Sequence, residues 1–197
     1  MLRLNLGCGN DYREGWVNAD RNPAVRTDLR LDLAAAIPFA DDSVDEILLD
    51  NVLEHVPRPG FFPFIDELYR VCRHGAAIRI YVPHYSGMWA FKHLAHEVYF
   101  GVGSFDIYRV EPSFNAERYG RARFNMRKEE LLFFHHNLVR FPLLSKLPIN
   151  WLFNLSPLWQ VFMERFQFLG FDEIHYELEV VKEQQQRDRA TGVRALA

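Results

Sequence analysis

The chain has 197 residues, 49% of them hydrophobic, enough to core one well-packed domain and few for two. Its formal net charge is −3 and its 23 basic residues are scattered rather than clustered, so the footprint of a nucleic-acid binder is missing. The two cysteines, Cys8 and Cys72, lack CxxC spacing and no basic segment with an apolar stretch opens the chain. That argues against a disulfide framework and structural zinc, and it makes the cytoplasm the expected compartment.

From residue 2 to about 83 the pattern alternates strands and helices, which predicts a mainly parallel sheet covered on both faces. Arg3 to Leu6, Trp16 to Ala19 and Asp28 to Leu31 are expected as the first three strands. The β-branched runs Val44 to Leu49 and Ala77 to Val82 supply two more. Between them, apolar residues at Phe61, Phe64, Ile65, Leu68, Tyr69 and Cys72 have helical spacing, and Arg73-His74-Gly75 closes that helix. Beyond Pro83 the alternation stops, and an aromatic-rich insertion of some 90 residues (85–170) leads to a last strand, Glu173 to Lys182. Within it, Arg121 to Phe134 fits a strand or a helix, while Ser156-Pro157 looks like a cap for a helix over Leu158 to Leu169. Residues 183–197 form a polar tail, expected to fray.

The first twenty residues hold a strand, the turn Gly7-Cys8-Gly9, a second strand and Asp20. Glycines allow a sharp turn and close backbone approach, and a carboxylate at the end of the next strand can accept both hydroxyls of a ribose. A nucleoside-type cofactor is implied, although the same turn serves nicotinamide, flavin and sulfonium cofactors. Only Asn10 to Gly15 separate the turn from the second strand, too few for the usual helical crossover.

Downstream, Asp32-Leu33, Ile37-Pro38-Phe39, Asp41-Asp42-Ser43-Val44-Asp45, Leu53-Glu54-His55-Val56 and Glu67-Leu68-Tyr69-Arg70-Val71 follow in order. This series resembles the class I S-adenosylmethionine-dependent methyltransferases of the methyltransferase-11 type over residues 2–84. More narrowly, it resembles a short-loop subset whose first helix shrinks to a turn. The resemblance implies a single domain over 1–197, built as a doubly wound, mainly parallel α/β sheet of Rossmann-like form. An antiparallel carboxyl-terminal strand completes it. The implied cofactor is S-adenosylmethionine. Asn5, Leu6, Gly7, Cys8 and Gly9 would meet its methionine and ribose, Asp20 and Arg21 its ribose, Asp32 and Leu33 its adenine, and Asn51 and His55 its methionine end. The chain departs from the family at Asn5, where an acid is usual, at Asp11, where a third glycine is common, and at His74 and Ala76 before the fifth strand.

The acceptor implied is a small molecule or a glycan, methylated at oxygen, with His84 or His96 as general base. No metal is expected, because the adjacent His135-His136 diverge and lack partners at ligand spacing. A membrane span is also excluded by the charges and prolines that interrupt residues 131–169. The competing readings are a non-catalytic cofactor-binding scaffold of the same fold and a nicotinamide oxidoreductase. The latter lacks GxGxxG spacing and a Tyr-x-x-x-Lys pair. The apolar extension and a sheet face short of one helix leave a homodimer open.

Overall fold

A computed structural model describes residues 1–110, 116–133, 149–166 and 170–182. Among them seven strands form one sheet: β1 (Arg3–Leu6), β2 (Val17–Asp20), β3 (Leu29–Arg30), β4 (Val44–Asp50), β5 (Cys72–Pro83), β6 (Phe124–Leu132) and β7 (Glu173–Val180). The order is β3-β2-β1-β4-β5-β7-β6, winding outward in both directions from β1 and β4, and β7 alone runs antiparallel to its neighbours. The five early strands fall where the sequence puts them, and the ambiguous segment after Arg121 is the strand β6. Its charged residues suit an edge: Arg127 and Asn125 both reach Glu179 on β7.

Helix α1 (Arg58–Val71) is the crossover between β4 and β5 and turns Phe64, Ile65 and Leu68 into the sheet. It passes directly into β5 at Cys72, so the expected helix end at Gly75 is displaced. Gly75, at φ +78°, instead lies within the strand, where the pairing skips from Val44 opposite Cys72 to Glu46 opposite Ala77. Three shorter helices follow: α2 (Met88–Lys92), α3 (Ile149–Phe153) and α4 (Pro157–Arg165). The cap foreseen for α4 is present, since Ser156 Oγ accepts from Trp159 N at 3.1 Å. His135-His136 and the polar tail lie outside the described residues.

The two faces of the sheet differ in composition. Leu4, Leu6, Ile47, Leu49, Ile78, Ile80, Tyr176 and Leu178 occupy one face and join α1 in a continuous apolar core. The alternate positions are Asn5, Glu46, Leu48, Arg79 and Glu177, and Arg79 pairs there with Glu46 and, at 3.9 Å, with Glu177. The reason is in the connections: among the described residues, β1, β2, β3 and β4 are joined in turn by segments without an α-helix. Helical crossovers are what normally dress both faces of a parallel sheet.

A polar network takes the place of the missing first helix. Asn18, with no exposed surface, accepts from Arg13 N at 2.8 Å and from Asn5 Nδ2 at 3.1 Å. Its own amide donates to the carbonyls of Arg13 and Trp16 and to Asp28 Oδ2. Trp16 closes the link from outside, its ring 4.9 Å beneath the Arg3 guanidinium. No helix forms between Gly9 and Trp16, as the length of that link requires.

Candidate active site

The site grows from the carboxyl ends of β1, β2 and β4, the edge where open parallel sheets bind ligands. After Leu6 the chain turns left-handed at Gly7 (φ +67°), and the amides of Gly7 and Cys8 both donate to Ala19 O, at 2.8 and 3.1 Å. A side chain at Gly7 has no room, since a Cβ there would stand 2.5 Å from Val52 Cγ2. Gly9 (φ +49°) is the opposite case: a Cβ would meet nothing within 4 Å. One glycine is needed by the protein's own packing; the other borders open space.

Asp20 ends β2 directly beside this turn. Its Oδ2 accepts from Gly9 N at 2.8 Å and its Oδ1 from Asn22 N at 2.7 Å, which aims the carboxylate and leaves lone pairs over. Arg21 follows it, exposed. Asp32 is exposed and forms a local turn through Ala34 N at 3.0 Å, while Leu33 packs its half-buried side chain on the core. The loop bearing these two and Ile37 is clamped by α1. Arg70 donates to Ile37 O at 2.8 Å and Phe39 O at 3.0 Å, and Glu67 accepts from Ile37 N at 3.0 Å. The motifs around Ile37 and Glu67 therefore meet across the core edge.

Asn5 is placed differently from what the resemblance implies. It is buried, and its amide is bound to Asp11 O at 2.7 Å and to Asn18, so it supports the turn from behind. Cys8 is also buried; desolvation, followed by the Asp20 charge, pushes its thiol up. Asn51, at φ +54°, turns the chain sharply after β4, its backbone N–H donating to Tyr81 O at 2.8 Å and its side-chain amide to Asp50 Oδ1 at 2.8 Å.

The two expected bases part company. His84 has no exposed surface: its Nδ1 accepts from Ser86 Oγ at 2.7 Å and its Nε2 donates to Glu164 Oε1 at 2.8 Å. Glu164 also takes Val102 N, and Ser86 Oγ takes Phe171 N, so His84 ties α4 and the start of β7 to the end of β5. His96 is half-buried, with Nδ1 at 3.0 Å from Ala90 O. Its ring lies 4.7 Å from that of His55 and 4.9 Å from that of His93. Burial lowers the pKa of His55 and of His96, and the neighbouring imidazoles push both the same way, so each ring favours its neutral form.

Sequence reasoning passed over two residues here. His93 joins His55 and His96 only because the chain after α2 folds back on the turn following β4. Glu54, 2% exposed, has both carboxylate oxygens without a hydrogen-bond partner among the described residues. Its pKa is raised to about 8, chiefly by burial and further by the charges of Asp50 and Glu173. Its place in the Leu53-Glu54-His55 motif was the available signal.

Comparison with known proteins meets this geometry. The methyltransferase-11 family, described as a methyltransferase domain, matches residues 4–80, which contain the glycine turn, Asp20, Asp32 and His55. Over those residues the chain is similar to that methyltransferase family. The cofactor that goes with this family and fold is S-adenosylmethionine. A methyltransferase of Mycobacterium avium described as uncharacterized is 58% identical over 40 residues, 20% of this chain and 15% of its own length. The chain thus spans only a small part of the curated relatives it matches. A S-adenosylmethionine-dependent methyltransferase from Archaeoglobus fulgidus shares the fold at TM-score 0.57 and 14% identity, covering 90% of this chain and 85% of that one. The geranyl diphosphate C-methyltransferase of Streptomyces coelicolor, solved with S-adenosylhomocysteine, does so at 0.55 and 13%, covering 91% and 69%. Beyond residue 80 the likeness is to the fold of those structures alone. Among the described residues no helix is long and apolar enough to cross a membrane.

Proposed function

We propose that the protein transfers the methyl group of S-adenosylmethionine to an oxygen of a small-molecule or glycan acceptor. The observation that carries this is the open side of Gly9 beside Asp20, a turn and a ribose acid held together by one hydrogen bond of 2.8 Å. The cofactor brings the activated methyl; the protein's share is to hold the acceptor in line and exclude water. Asp20 binds the ribose, Asp32 and Leu33 border the adenine, and Asn51 and His55 stand at the methionine end. Proton removal from the acceptor falls to His96, whose pKa burial lowers, while His84 ties α4 to the end of β5 through Glu164. The work is placed in the cytoplasm, where the free thiols of Cys8 and Cys72 stay reduced.

One observation favours a second reading, binding without turnover: Asn5 supplies no carboxylate near the methionine ammonium and is tied to Asp11 and Asn18. Calorimetry with S-adenosylmethionine, S-adenosylhomocysteine and NAD, followed by transfer of a labelled methyl to sugars, phenols and carboxylic acids, separates the cases. Tight binding of the first two and labelled product are expected. Binding without product supports the scaffold, and binding of NAD alone overturns both.

A further inference from the structure

We propose that His55, His93 and His96 form a binding site for one divalent transition-metal ion, with zinc as the best fit and one coordination position left open. The three come from two separate stretches, the turn after β4 and the segment after α2. One ligand atom from each lies within 4.8 Å of the others.

The geometry suits the ion. Tetrahedral zinc with Zn–N bonds of about 2.0–2.1 Å needs nitrogens about 3.3–3.4 Å apart, and hence ring centres about 5 Å apart. The ring centres are at 4.7, 4.9 and 5.1 Å. Small rotations of the side chains close the remaining gap between nitrogens, which now stand within 4.8 Å of one another.

The outer contacts suit it as well. A ligating histidine usually donates its second ring N–H to a carbonyl or carboxylate, which fixes the tautomer and turns the other nitrogen to the metal. His55 Nδ1 is 3.2 Å from Ala95 O, and His96 Nδ1 is 3.0 Å from Ala90 O. Both rings therefore present Nε2 as the free lone pair. His93 differs, because its Nδ1 accepts from Ala95 N at 3.4 Å. That contact is long, and it is the one the ion displaces, whichever nitrogen of His93 ligates.

Three imidazoles and an open position form the donor set of a reactive rather than a structural zinc site. An oxygen of the acceptor fits the open position. There the ion takes over the task given to His96 above: it lowers the pKa of a bound hydroxyl, and the proton leaves to solvent. This last step rests on the methyl-transfer reading; the binding of the ion does not.

The test uses the full chain without a histidine tag, stripped with chelator and titrated with Zn2+ and with Co2+. One equivalent of Zn2+ is expected, with the visible absorption of tetrahedral Co2+ on substitution. H93Q and H96Q are each expected to lose at least about 100-fold in Zn2+ affinity, more than loss of an outer partner costs. H135Q/H136Q is expected to retain it, and thermal unfolding shows that every variant is folded. Calorimetry with S-adenosylhomocysteine on the same samples tells failure of the ion site from failure of the cofactor reading. If wild type and H93Q bind Zn2+ alike, or if H135Q/H136Q abolishes binding, the proposal is overturned.

Discussion

Gly7 and Gly9 share a left-handed backbone and differ in their surroundings, so substituting alanine at each separates packing from ligand binding. Either alanine carries about 1–2 kcal/mol for the left-handed conformation. At Gly7 the new methyl also stands 2.5 and 3.2 Å from the two methyls of Val52, a short β-branched side chain on a buried turn with little room to yield. Overpacking of this kind adds about 1–3 kcal/mol. The totals are about 2–5 kcal/mol for Gly7→Ala and about 1–2 for Gly9→Ala, or roughly 4–20 °C and 2–8 °C in Tm for a chain of this size. The ligand effect runs the other way. On the proposed placement of the cofactor, the methyl of Gly9→Ala enters its space and is expected to weaken S-adenosylhomocysteine at least tenfold, about 1.4 kcal/mol. Differential scanning calorimetry and isothermal titration of the two variants read these quantities directly. A Gly7→Ala protein as stable as Gly9→Ala refutes the packing argument, and wild-type affinity in Gly9→Ala refutes the placement of the cofactor.

Three further outcomes follow from other parts of the molecule. Asn18→Ala orphans the Arg13 N–H, leaves the Asn5 amide with Asp11 O as its acceptor, and is expected to lose about 1–3 kcal/mol, with new proteolytic cleavage between residues 10 and 16; an unchanged unfolding midpoint counts against the network. Glu67, held below its ordinary value of 4.5 first by the Arg70 hydrogen bonds, stabilises the fold above that pH and loses the effect as pH falls through its lower folded value. Glu67→Gln is therefore expected to cost about 1–2 kcal/mol at neutral pH, the gap to wild type narrowing only in acid, and a gap that stays constant down to pH 2 overturns the assignment. Burial pushes the Cys72 thiol up to about 12, so at pH 8 it should react with a thiol reagent only after denaturation; fast labelling of the native protein, located by mass spectrometry, excludes this burial.

What the sequence disclosed was what short stretches decide. Strand β1, the turn at Gly7, the spacing of Phe64, Ile65 and Leu68, and the Ser156 cap each rest on a few neighbouring residues, and each stands where it was expected. Features made by distant stretches were not legible. His84 meets Glu164 across 80 positions, and His93 joins His55 only when the segment after α2 returns to the turn after β4. Neither partner carries a local signature, since a glutamate in an amphipathic helix and a histidine in a polar loop are ordinary surface residues. The one-sided core was half visible: the short link foretold a missing helix, but the self-paired charges on that face emerge only from register.

The uneven anchoring of the strands decides how the molecule opens. β2 and β3 hang on short ladders and a polar network, whereas β4, β5 and β7 are anchored in the apolar core. Amides of β2 and β3 should therefore exchange with solvent by local opening, and those of β4 and β5 only by global unfolding. Asp20 rides on the looser unit. A ligand bridging Gly9, Asp20 and the clamped loop would stabilise this looser unit and slow exchange most where the scaffold is thinnest.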